Sequence, residues 1–81
     1  MKSLTKPSFS TCDIFLSSTL VTLGFKIESL DKTNKQKVQF SFKRNPRLDQ
    51  IIQAYWKGDL RVEPQIFTSN LKALKNRIYS N

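Results

Sequence analysis

The 81-residue sequence has no histidine, one cysteine and two glycines, and its 6 acidic residues stand against 14 lysines and arginines. Each shortage excludes a chemistry. Without histidine, the usual general acid/base at neutral pH is missing, and a serine or cysteine nucleophile lacks its imidazole partner. The lone Cys12 forms no internal disulfide and, with no histidine to help it, builds no zinc site. It reads as a small buried apolar side chain. Gly24 and Gly58 are the two glycines, so no Gly-rich phosphate loop exists. The carboxylates Asp13, Glu28, Asp31, Asp49, Asp59 and Glu63 are scattered singly, without ligand spacing for magnesium or calcium. The expectation is a non-enzyme that uses no metal and no cofactor.

Long apolar runs are also missing. "MKSLTK" followed by "IFLSSTLVTLGF" loosely imitates a signal peptide, but Asp13 sits at its edge and Ser17, Ser18, Thr19 and Thr22 dilute it. The run falls well short of the ~20 residues that span a bilayer. Neither secretion nor a membrane anchor is expected, and a reducing, cytoplasmic setting suits the single cysteine.

What is present is positive charge. The formal net charge of +8 attracts nucleic acid, anionic lipid or an acidic protein, although a soluble protein with a basic bias is the plainer alternative. A chain of this length makes one domain and buries roughly 60–65% of its unfolded surface.

Residues 1–9 are polar, contain Pro7 and read as a flexible arm; one α+β domain is expected over residues 10–81. Ser10 or Thr11 can cap a first helix, with Asp13 in its first turn. Leu16, Leu20 and Leu23 form a stripe continuing from Cys12, and Gly24 supplies the stop. The β-branched Thr19, Val21 and Thr22 leave a strand open as an alternative. The period then changes to two. Phe25 and Ile27, then Val38, Phe40 and Phe42 after the turn "DKTNKQ", predict a β-hairpin with a cationic, polar outer face. In "RNPRLDQIIQAYWKG" Asn45 caps a helix, Pro46 opens it and Gly58 ends it. Leu48, Ile51, Ile52, Tyr55 and Trp56 make its buried stripe, which casts Tyr55 and Trp56 as core anchors. "DLRVE" reads as a short strand or extended connector. A last helix follows from Pro64, with Phe67, Leu71, Leu74 and Ile78 inward and Lys72, Lys75, Asn76 and Tyr79 toward water. The order is helix, hairpin, helix, connector, helix.

The most informative cluster is "KRNPR". Lys43, Arg44 and Arg47 surround a helix N-terminus that already carries about half a positive charge, so each cation there costs a few tenths of a kcal/mol. A phosphate would remove that conflict by taking the free N–H groups and the arginines together. Solvated arginines beside the helix start are the other reading. Lys26, Lys32, Lys35, Lys37 and Lys43 charge the hairpin; lysines there discourage edge-to-edge pairing, and a basic β-ribbon that tracks a phosphate backbone is the alternative. The wet stripe of the last helix adds Lys72.

The start T-x-D (Thr11, Asp13), Gly24, Phe40, the segment "YWKGDLRVEP", and Phe67, Leu71, Lys75 and Ile78 together resemble a family of short bacterial and mobile-element proteins catalogued as a domain of unknown function. The Tyr55-Trp56-x-Gly58-x-x-Arg61-Val62 segment is its most specific part, and the resemblance spans nearly the whole chain. It implies a free-standing domain of a bacterial, phage or plasmid element and no assigned activity. Arg61 stands out, because it projects from an apolar, alternating segment with no packing reason to be arginine. The expected function is therefore a small accessory module whose Lys43, Arg44, Arg47, Arg61 and Lys72 contact the phosphates of DNA or RNA. The alternative is an interaction module (subunit, inhibitor or adaptor) that docks an acidic protein.

Overall fold

The computed structural model describes residues 8–34 and 36–79. Its elements are β1 (Ser8–Thr11), α1 (Ile14–Thr22), β2 (Ile27–Asp31), β3 (Gln39–Lys43), α2 (Pro46–Lys57) and α3 (Pro64–Tyr79). The architecture is α+β, with the expected hairpin and three helices and one further strand. That strand, β1, takes Ser8 and Phe9 out of the proposed arm; residues 1–7 lie outside the described residues.

The sheet order is β1-β3-β2, all antiparallel, so β3 is central. Phe9 and Thr11 of β1 lie opposite Phe42 and Phe40, on the buried face. The other face carries Ser8, Ser10, Ser29 and Ser41 with Gln39, Asp31 and Lys43, and the Ser10 and Ser41 hydroxyls hydrogen-bond at 2.9 Å. It is polar as expected, but its four serines outnumber its single lysine, Lys43, among the described strand residues. Strand β2 breaks strict alternation. Ile27 pairs with Phe42 and Ser29 with Ser41, which leaves Glu28 as an exposed bulge. Without it, alternation from Ile27 would turn Ser29 and Asp31 inward; with it, Leu30 faces the core opposite Phe40.

Asp13, and not Ser10 or Thr11, caps α1: one carboxylate oxygen accepts from the N–H groups of Phe15 (2.9 Å) and Leu16 (3.1 Å). Thr11 instead ends β1, and its hydroxyl accepts from the Asp13 N–H at 3.1 Å. Both glycines end helices as expected, each with positive φ (101° at Gly24, 76° at Gly58). In each case the glycine N–H and the next N–H reach back to helix carbonyls, which is the Schellman arrangement. Asn45 caps α2 through the Leu48 N–H at 2.8 Å, with Pro46 in the first turn. Glu63 caps α3, accepting from Gln65 at 2.6 Å.

The core unites Leu16, Leu20, Val38, Phe40, Phe42, Leu48 and Leu74. Helix α1 is its axis and is buried from Leu16 to Leu20 without a break. Small residues make that possible. Ser18, Thr19 and Thr22 return their hydroxyls to the carbonyls four residues back (2.7–2.8 Å), so their polar atoms are satisfied at close quarters. The fully buried Ser17 Oγ has no hydrogen-bond partner.

Helices α2 and α3 both run opposite to α1. The start of α2 meets the end of α1 where the Arg47 guanidinium donates to the Leu23 carbonyl, while near its other end burial first, and the Asp13 carboxylate second, raise the pKa of the Tyr55 hydroxyl. In α3, Asn70 bonds Thr22, whereas Ile78 and Tyr79 lie beside Cys12 and Ile14. Two helices with the same sense need a return path, and residues 59–63, between the Gly58 stop and α3, provide it. Five residues reach at most about 17 Å, close to the ~18 Å length of the 12-residue α2.

Two packing expectations are corrected. Cys12 is exposed, because it lies between β1 and α1 and so off the helical stripe. Trp56 is 66% exposed, while Tyr55 packs partly buried against the core.

Candidate nucleic-acid interface

The five proposed phosphate contacts are all exposed, but they do not form one patch. Lys43 ends β3 and Arg47 lies in the first turn of α2. Together with Lys26, which precedes β2, they line one groove of about 560 Å³ with Phe25, Asn45 and Glu28. Arg44 turns away to a second depression shared with Phe9 and Ile52, where its Nε donates to Asp49 at 3.1 Å. Arg61 sits in the connector and Lys72 on α3, and neither is a wall of the groove.

The electrostatic conflict at the α2 N-terminus also has an intramolecular answer. Asp49 supplies the acid that the first turn favours and pairs with Arg44; both side chains are well exposed, so the pair adds little stability. Arg47 reaches across to α1. Its Nη2 donates to the Leu23 carbonyl at 3.4 Å, and its guanidinium lies 4.9 Å from the centre of the Phe25 ring. Arg61 likewise has a local role, donating from Nη1 to the carbonyls of Leu60 (3.0 Å) and Gly58 (3.4 Å). The Lys32 ammonium donates to the Arg77 carbonyl in the last turn of α3. So each helix has a cation at its carboxyl end: Arg47 for α1, Arg61 for α2 and Lys32 for α3, the placement that the helix dipole favours.

Arg47 is thereby held in place while keeping further donors, since a guanidinium carries five N–H groups and the Leu23 contact uses one nitrogen. The groove it lines presents three cations against the single carboxylate of Glu28.

The chain matches the family model of a domain of unknown function, DUF5659, over residues 6–80. It belongs to that family. No curated protein and no solved structure matches it. Several of the positions on which the sequence resemblance was drawn have structural duties in this chain. Asp13 caps α1, Gly24 and Gly58 hold the left-handed helix ends, Phe40 fills the core and Arg61 closes the end of α2.

Sequence reasoning grouped Lys26 with Lys43 on the hairpin but left Lys26 out of the proposed site; that both share a groove with Arg47 follows only from the fold. It also passed over a second cationic groove at the opposite end of β3, where Lys37 and Lys75 flank Tyr79. The stripe of Lys75 and Tyr79 on the last helix was visible, but its apposition to the hairpin was not. Among the described residues, no helix is long and apolar enough to cross a membrane.

Proposed function

We propose that this DUF5659 chain is a non-enzymatic module that binds nucleic acid through its phosphates, as an accessory factor of a bacterial, phage or plasmid element. The observation that carries this reading is the convergence of Lys26, Lys43 and Arg47 on one groove at the amino end of α2, in a chain of net charge +8. Backbone phosphate is the ligand chemistry such a groove suits. The helix end favours an anion, Arg47 offers planar donors at a fixed position, and two lysines add mobile point charges. Arg44 is secondary, being paired with Asp49.

The test is a fluorescence-anisotropy titration at several salt concentrations, comparing the wild type with Lys26→Ala/Lys43→Ala. Both lysines are exposed, so the variant should fold. Its affinity should fall by a similar factor for different sequences, and the slope of log affinity against log salt should flatten by roughly one unit for each phosphate no longer neutralised. Unchanged affinity and slope would remove the groove from the interface. The exposed Phe15, Trp56, Ile66 and Tyr79 favour a second reading, a module docking an acidic protein. Recovery of such a complex free of nucleic acid, with no binding to either DNA or RNA at low salt, would put that reading first.

A further inference from the structure

The groove at the other end of β3 differs in character from the phosphate groove. Its floor is apolar, made by Ile14, Val38, Phe40 and Ile78, and its volume is about 460 Å³. Lys37 from the hairpin and Lys75 from α3 stand on its walls, and none of its lining residues is an acid. Asp13 lies nearby, but its carboxylate is engaged with the N–H groups of α1. Tyr79 borders the groove and is 82% exposed.

We infer that this groove receives an unstacked base, so that the nucleic acid bound under the proposed function is single-stranded. Three features select that occupant. A flat aromatic face beside an apolar floor stacks any base, whereas the bases of a duplex are already stacked and out of reach. Lysines on opposing walls suit the phosphates on either side of a splayed nucleotide. The groove of about 460 Å³ has room for a base together with its sugar, while an amphipathic peptide helix needs a row of anchors over two turns. The two grooves lie beyond opposite ends of β3, Lys37 lining one and Lys43 the other.

The inference rests on the nucleic-acid reading, and the experiment separates the two. A labelled mixed-sequence single strand and its duplex are titrated against wild type, Tyr79→Ala and Tyr79→Phe, with circular dichroism to confirm folding and sedimentation to report assembly. Wild type should bind the strand more tightly than the duplex. Tyr79→Ala should weaken strand binding by roughly five- to a hundred-fold, the range for losing one base–aromatic stack, and leave duplex binding unchanged. Tyr79→Phe should keep the strand affinity. Equal affinity for strand and duplex, or no effect of Tyr79→Ala, would overturn the base site and leave the phosphate reading standing. If wild type binds neither form at low salt, both readings fall. A dimer that Tyr79→Ala dissolves, formed without nucleic acid, would assign the groove to a second copy of the chain and overturn the inference.

Discussion

Helices α1 and α2 make a useful contrast. In sequence, α2 is the model amphipath, with caps at both ends and a clean stripe, whereas α1 is a run of serines and threonines mixed with leucines. In space the ranking reverses. Five consecutive residues of α1 are buried, against Leu48 alone in α2, whose other apolar residues are half-covered or exposed. Periodicity reports how one-sided an environment is, not how deep. A helix with neighbours on several sides has no wet face to mark with charge. What it needs is small side chains that let the neighbours close in and hydroxyls that satisfy themselves locally.

The largest expected effect tests that contrast directly. Leu20→Ala in α1 should cost about 2–5 kcal/mol, a large share of the stability of so small a domain. Urea melts should show Ile52→Ala in α2 losing less, and equal losses would dissolve the distinction. A smaller effect, of opposite sign, is expected at Ser17. Its buried hydroxyl lacks a partner, so Ser17→Ala should be neutral or stabilise by about 1 kcal/mol. A clear loss of stability there would show that the hydroxyl is satisfied in solution. The smallest effect belongs to Trp56, where the stripe pattern alone suggests a core deletion of about 3–5 kcal/mol. At 66% exposure, Trp56→Ala should shift stability by no more than about 0.5 kcal/mol. Unfolding of that variant by circular dichroism would restore the aromatic pair to the core.

Angles explain why one of two adjacent aromatics was misplaced. At about 100° per residue, Tyr55 lies some 20° from the direction of Leu48, while Trp56 lies some 80° away, at the margin of the buried stripe. Helix caps and both glycine stops were readable because they depend on neighbours within a few residues. Strand β1 was not, because "SFST" has one large apolar residue, and its reason to be extended is Phe42, far along the chain. The site was readable in the same measure. Lys43 and Arg47 are close in sequence and share a groove, whereas the pairing of Arg44 with Asp49 was not foreseen from the sequence. The convergence of Lys26 with Lys43 and of Lys37 with Lys75 depends on strands and helices meeting, which no local pattern encodes.

The bulge at Glu28 has one more consequence, for the borders of the sheet. With β3 in the middle, β1 and β2 are the sheet's edge strands among the described residues, and an edge is a standing invitation for a strand of another molecule to zip on. The β1 border is four residues long and so offers little to template. The β2 border is longer, but the extra residue at Glu28 throws an incoming strand out of step, and Lys26 and Lys32 flank it with positive charge. The same irregularity that turns Leu30 inward therefore also works against runaway self-pairing of the sheet of this small α+β domain.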